Sequence, residues 1–316
     1  MRKVTLLYNA RSGGRRNQRE NDLQDVLKIL TEAGVEVRLV RTQSNLDAAE
    51  QARKAILEGC DTVFACGGDG TVHDVLQAMA GSRVALGVIP MGTANALAHD
   101  LGIPLEPHRA VRAVLEGEAR RVAVGQVTVR GFNGNPVTRF FTVAVGVGVD
   151  AHLFYQMHAG TKQRLGMAAY YAKAWHLWFT HRMERFSVEW DGAAARSQDG
   201  VTELLAVRIR NFGGVLQELA PGASLDRDHV RLVVCRTASR ASYLLYVIRS
   251  LLRGRWNVPG VDLADGKTVR CDYVRGTTVT EDRSKVYVEA DGELIGTLPA
   301  QITVVPDSLT LLAPKR

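Results

Sequence analysis

Through its first hundred residues this chain alternates two periodicities without a break. Short apolar runs at 4–8, 35–41, 61–66 and 84–89 are each followed by a helical pattern, at 18–33, 46–58, 72–80 and 94–101. Parallel strands need a crossover, and crossover helices cover both faces of a sheet, so the alternation predicts a parallel α/β domain. A further helix at 107–117 ends the pattern, and the grammar changes. The stretch "RRVAVGQVTVRGFNGNPVTRFFTVAV" reads strand, turn, strand, with its loop at Gly131 to Pro136. Strands are expected at 186–190, 203–210, 230–235 and 277–280, then a hairpin over 285–297 turned by Asp291-Gly292, with helices at 162–179 and 241–253. This half reads as antiparallel.

At 316 residues the chain is about twice a typical domain. The change of grammar places the boundary at 118–124, giving an N-terminal domain at 1–120 and a C-terminal one at 121–316, with the last strand free to return to the first. Hydrophobic residues at 46% and charged residues at 23% are globular usage and exclude a disordered chain. The formal net charge of +7 favours an anionic partner, whether nucleotide phosphate, nucleic acid or an acidic membrane surface. Cys60, Cys66, Cys235 and Cys271 stand far apart, which indicates neither a zinc site nor a disulfide framework. The apolar run before Asn9 is too short for a signal peptide, and the window "YLLYVIRSLL" is about half the ~20 residues a membrane span needs. A cytoplasmic protein, soluble or peripheral on the inner face of the membrane, is the expectation.

Ligands of an open parallel sheet bind beyond the carboxyl ends of the strands, where glycine-rich turns lead into helices. Three such turns follow predicted strands here: "NARSGG" from Asn9, "GGDGT" from Gly67 to Thr71, and "MGTAN" from Met91 to Asn95. Exposed backbone N–H groups and the helix dipole make each an anion cradle. Taken singly, each has an ordinary reading, since Thr71 with Asp74 three residues on is also a capping box. Asp69 shifts the balance, because a carboxylate among phosphate-binding amides is repelled unless Mg²⁺ lies between. Two other nucleotide signatures fail on context. "GKT" at Gly266 to Thr268 has its upstream Gly260 one residue too far away, and "GVGVDA" falls in the antiparallel half.

"GGDGTVHDVL" with "LGVIPMGTANALAHDLGIP" resembles the diacylglycerol kinase catalytic-domain family, which includes sphingosine kinases and bacterial lipid kinases. "YNARSGG", "GVGVDA", "KQRLGMAAYY" and "EADGE" are similar to further segments of that family, so the likeness covers nearly the whole chain. The resemblance implies a Rossmann-like N-terminal domain of the NAD kinase and phosphofructokinase type, a C-terminal antiparallel β-sandwich, and ATP-dependent phosphorylation of a lipid hydroxyl between them. Its ATP contacts carry over to Thr42, to Gly67, Gly68, Asp69, Gly70, Thr71, Val72 and His73, and to Thr93, with Asn9 and Asn95 in the flanking turns. Asp69 would also meet the magnesium, and Glu293 is the implied proton acceptor. The chain departs from the family at Ala10, His73, Asp74 and Ala96. It departs again in "SLDRDHVRL", where the family's metal-holding loop has Asp-Gly and any metal would have to use Asp226 or Asp228.

A hydroxyl nucleophile needs a carboxylate within hydrogen-bond reach to accept its proton. Glu293 is the first candidate and Asp69 the second; Asp291, also a candidate, sits in a turn that by itself favours an Asp-Gly pair. The stretches "MAAYYAKAWHLWF" and "SYLLYVIRSLLRGRW" mix aromatic, aliphatic and basic residues in a way that suits an anionic lipid interface as well as it suits a core-facing helix. Oligomeric state is left open, a homodimer included. Two rivals remain: a soluble-substrate kinase of the NAD kinase type, and a non-catalytic module binding lipid or nucleic acid. No recognition-helix, RRM or zinc pattern supports nucleic acid.

Overall fold

The structure, a computed structural model, describes residues 1–9, 16–42, 45–149, 151, 183–191, 196–214, 218–274 and 285–315. Residues 10–14 of the first glycine turn, Asp150, the expected helix at 162–179 and the expected strand at 277–280 lie outside them.

The N-terminal alternation folds as β1 (Lys3–Asn9), α1 (Arg16–Glu32), β2 (Glu36–Thr42), α2 (Asn45–Leu57), β3 (Thr62–Gly67), α3 (Asp69–Met79), β4 (Ala85–Pro90), α4 (Ala96–Leu101) and α5 (Pro107–Leu115). The four strands pair in parallel in the order β4, β3, β1, β2. β3 and β4 are buried at every position, as strands covered on both faces must be, which is why they read as unbroken apolar runs. Helix α3 begins three residues before the expected Val72. Gly68 is its N-cap, in an extended conformation, and the Gly68 carbonyl accepts from Thr71 N at 2.9 Å and Val72 N at 3.2 Å. Thr71 is therefore inside the helix and does not cap it.

The second half adds β5 (Glu118–Arg130), β6 (Pro136–Phe141), β7 (Ala144–Gly148), β8 (Phe186–Trp190), β9 (Arg196–Val201), β10 (Glu203–Val207), β11 (Val230–Cys235), α6 (Arg240–Leu251), β12 (Val261–Gly266), β13 (Thr268–Tyr273), β14 (Tyr287–Ala290) and β15 (Glu293–Ala313). Pairings within it are antiparallel, and it forms the expected β-sandwich. β9, β12 and β13 were not expected from the sequence. β9 and β12 are short and carry Asp and Gly, which have low strand propensity; pairing with β8 and β11 holds them extended. "GKT" is the turn between β12 and β13, since Gly266 ends one and Thr268 opens the other.

β15 joins the two halves into one sheet. It pairs antiparallel with β5 from Thr297 opposite Arg130 to Ala313 opposite Glu118, and its far end pairs in parallel with β4 at Thr310 and Leu311. One apolar core surrounds the parallel strands and a second fills the sandwich around Phe141, Val147 and Phe186. The tip of the Phe141 ring packs against Gly125, where a Cβ would come within 2.1 Å of it. Replacing Phe141 with Ala should destabilise the protein by about 3–5 kcal/mol, read as a large fall in thermal midpoint. The same change at Phe132, which is 61% exposed, should leave the midpoint nearly unmoved.

Candidate active site

The order β4, β3, β1, β2 sets the carboxyl ends of the first three side by side, so Asn9 at the end of β1 meets the turns that follow β3 and β4. Asn9 at the end of β1 donates from Nδ2 to Thr71 Oγ1 at 3.3 Å. The two later turns approach closest at glycine, where a Cβ on Gly92 would lie 2.4 Å from Gly68 Cα, and Met91 N donates to Gly67 O at 2.9 Å. Asn95 adopts a left-handed conformation and clasps its own turn, accepting from Gly92 N and donating to Gly92 O, both at 3.0 Å. Thr42, at the end of β2, bonds the Tyr8 carbonyl at 3.3 Å and is buried. Thr93 is exposed at the rim, Val72 is buried in α3, and the N-terminus of α3 at Gly68 has no side-chain cap. Uncapped first-turn N–H groups beside side-chain-free glycines fit a phosphate group.

Asp69 spans the two turns. Its Oδ2 accepts from Asn95 N at 2.8 Å and its Oδ1 from Ala96 N at 2.7 Å, so a carboxylate on α3 caps α4. Burial raises its pKa above the ordinary carboxylate range; the two N–H bonds act against that, and the charge of Asp291 adds to it. With its own backbone N–H a third donor, the carboxylate keeps about one of its four lone-pair sites free. Mg²⁺ is usually held by one or two carboxylates together with substrate phosphates and water, so Asp69 fits it without a protein cage. Among the described residues no cluster of three or more His, Cys, Asp or Glu could hold a metal by itself.

The Asp-Gly hairpin approaches the same edge from the other half. A Cβ on Gly70 would lie 2.9 Å from Glu293 Oε1, which puts that carboxylate against the GGDG turn. Asp291 is engaged elsewhere. Its carboxylate accepts from Thr142 N at 2.9 Å, Val143 N at 2.8 Å and Ala144 N at 3.1 Å, pinning the hairpin to the bend between β6 and β7. Glu289 Oε2 accepts from Gly292 N at 2.7 Å and closes the turn. The His73 Nδ1 faces Asp291 Oδ2 at 3.6 Å, with both side chains 3% exposed. Burial opposes charging His73, yet Asp291 first, then Asp74 and Glu293, outweigh it and raise the imidazole pKa.

Glu293, His73 and Asp74 share a cleft of about 530 Å³ with Gln77, Phe132 and Arg139. Gln77 went unnoticed in the sequence. Its amide donates to Phe140 O at 2.8 Å and accepts from Phe140 N at 2.9 Å, so it extends β6 by one rung and fixes α3 against the second half. Its only signal was a polar residue one turn after His73.

The loop expected to hold metal is built around a side chain. Arg208 is fully buried, and its guanidinium donates to the carbonyls of Arg227 at 2.5 Å, His229 at 2.8 Å, Ala123 at 2.8 Å and Leu225 at 3.1 Å. Asp226 lies 3.4 Å from Arg120, and Asp226 and Asp228 are both exposed. Burial pulls the guanidinium pKa down to about 10 against the charges of Asp228 and Asp226, so it remains a cation at neutral pH. With a guanidinium already bonded to these carbonyls, the residues present do not fit a second cation, which revises the expectation for Asp226 and Asp228.

A glycine-built phosphate edge facing a carboxylate-lined cleft defines a nucleotide-dependent phosphotransferase. Residues 3–127 match the model of the diacylglycerol kinase catalytic domain, and residues 143–313 match that of the YegS C-terminal NAD kinase beta sandwich-like domain. A diacylglycerol kinase of Bacillus subtilis (strain 168) is 31% identical, over 100% of this chain and 97% of its own length. One of Staphylococcus aureus (strain MRSA252) is 28% identical over 99% and 93%. A crystal structure of a diacylglycerol kinase from Bacillus anthracis str. Sterne superposes with a TM-score of 0.69 at 18% identity, covering 98% of this chain and 96% of that one. Yeast NADH kinase complexed with NADH reaches 0.51 at 10% identity, covering 99% and 84%. The chain belongs to the diacylglycerol kinase family and is an ATP-dependent kinase.

Two measurements test the site's electrostatics. Asp74 is pushed up to about 7, by burial first, against the pull of His73 and with the push of Glu293. A raised acid holds its proton more tightly folded than unfolded, so its contribution to stability is lost as pH rises from about 4 through about 7. The thermal midpoint of Asp74→Asn should therefore fall less than that of the wild type between pH 5 and pH 8. Second, chelating divalent ions should leave the wild-type midpoint unchanged, whereas Arg208→Met, which orphans four carbonyls, should cost about 3–5 kcal/mol.

Proposed function

We propose that this protein transfers the γ-phosphoryl group of ATP to the hydroxyl of a lipid, with diacylglycerol the acceptor class its relatives favour. The observation that carries this reading is the placement of Glu293 against Gly70, at the meeting of the phosphate edge and the cleft. The nucleotide phosphates lie along the turns at Gly67–Thr71 and Met91–Asn95, with Thr42, Thr93 and Asn9 at the margins. Glu293 takes the proton of the attacking hydroxyl, as a positioned carboxylate does. Asp69 holds the two turns in register and faces the phosphates. Bound Mg²⁺ supplies neutralisation of the charge that develops on the transferred group. Asp291 is a positioning residue that fixes the hairpin bearing Glu293, and His73 packs behind it.

Supporting the lipid acceptor are two relatives over 90% of whose length is matched, both named diacylglycerol kinase. The NADH kinase likeness, at 10% identity, supports only the shared fold. Labelled ATP offered with dispersed diacylglycerol, a sphingoid base and NAD in parallel distinguishes these acceptors. Label in the diacylglycerol is the expected result; label in NAD alone would replace the lipid reading with the NAD kinase one. Glu293→Gln should lower kcat by roughly 10²–10⁴-fold with little change in the KM for ATP. Asp69→Asn sets an amide against two backbone donors, so it should raise the KM for ATP as well as lower kcat.

A further inference from the structure

We infer that the outward face of α6 is a docking surface for an anionic lipid bilayer. This rests on the proposed lipid acceptor and adds the surface by which the enzyme meets it. Helices on a protein surface normally turn polar residues outward, and α6 is inverted. Tyr243, Tyr246 and Ser250 face inward: Tyr246 is buried and donates to the Leu219 carbonyl at 2.6 Å, and the Tyr243 hydroxyl meets Thr202 Oγ1 at 2.9 Å. At ~100° per residue, Leu244, Leu245, Ile248, Leu251 and Leu252 fall within about 120° of one another on the opposite side. Each is exposed, from 39% at Leu245 to 68% at Leu252, and Trp256 just beyond the helix is 42% exposed.

Of the eleven large apolar side chains exposed among the described residues, seven lie between Leu244 and Trp256, so the patch is one surface and not scattered single residues. Its surroundings choose the partner. Residues 237–261 contain Arg240, Arg249, Arg253 and Arg255 and no acidic residue, while Arg236 just before them is paired with Asp262 at 2.6 Å. Arg249 lies over the Tyr246 ring at 5.3 Å and bonds the Gly254 carbonyl at 3.2 Å, which keeps it at the helix flank. An aliphatic strip edged by guanidinium groups, with an indole at one end, matches the layers of an anionic bilayer surface: acyl chains, interface and phosphate. A second copy of this chain would bring the same positive charges together and is the poorer fit.

The test uses the full chain without ATP, floated with vesicles of phosphatidylcholine alone or with one third phosphatidylglycerol. The wild type should float with the anionic vesicles, less so as salt is raised. Ile248→Asp combined with Leu252→Asp, and separately Arg255→Glu, should each weaken flotation by at least about tenfold, since each surface charge matters at that scale. Thermal midpoints and turnover of a water-soluble short-chain diacylglycerol should stay at the wild-type level. Equal flotation of wild type and variants overturns the inference, as does a wild type that fails to float and is a dimer which these substitutions dissociate. Wild-type flotation that the variants lose, with no lipid phosphorylated by either, would retain the docking surface and reject the lipid acceptor.

Discussion

The hydrogen-bond ladder of β15 is the constraint on which the rest of the structure depends. Its first residue, Glu293, lies against Gly70, and near its other end Thr310 and Leu311 pair in parallel with β4. Between these points it pairs with β5 at Thr297, over Ala300–Val305 and again from Leu309, with a register shift at each of the two breaks. Backbone pairing fixes position along a strand to a fraction of a residue, and slipping by one residue would turn every side chain to the other face. The distance between Glu293 and the glycine turns is therefore set by a continuous sheet, and not by the contact of two separate bodies.

Around that ladder, carboxylates act in two ways. Asp69 and Asp291 each accept backbone N–H groups from a neighbouring segment, the first joining two glycine turns, the second joining the hairpin to the bend after β6. Glu293 and Asp74 instead face the cleft. A carboxylate that accepts two or three amide protons is oriented and rigid, which suits the holding of a turn; one in a cleft can exchange a proton. The chain thus brings four acids to one region without leaving them as bare charges at one point. Arg208 applies the same logic with the opposite sign: a buried cation is tolerated because four carbonyls, one from β5 and three from the loop before β11, surround it.

Much of this was legible in the sequence. Period and turn chemistry located the four parallel strands, the glycine turns after β3 and β4, and the Asp291-Gly292 hairpin, because each depends on residues adjacent in the chain. What local pattern missed was set by partners far away. α3 starts at Asp69 because of the extended Gly68 and its carbonyl, and β12 is a strand because β11 lies beside it. Gln77 looked like an ordinary surface amide until β6, 63 residues on, supplied its bonds.

The sequence by itself determined the change from parallel to antiparallel grammar, the family, and the candidates Asp69, Asp291 and Glu293, since these rest on residue type and spacing. Only the tertiary structure divided the labour among those three. Whether a carboxylate holds a loop or faces a cleft depends on which backbone N–H groups lie within 3 Å of it. Residues 26 and 149 positions away supply those groups here, to Asp69 and to Asp291. The same holds for the loop at Asp226 and Asp228, where a guanidinium from an adjacent strand, invisible to any local motif, occupies the centre.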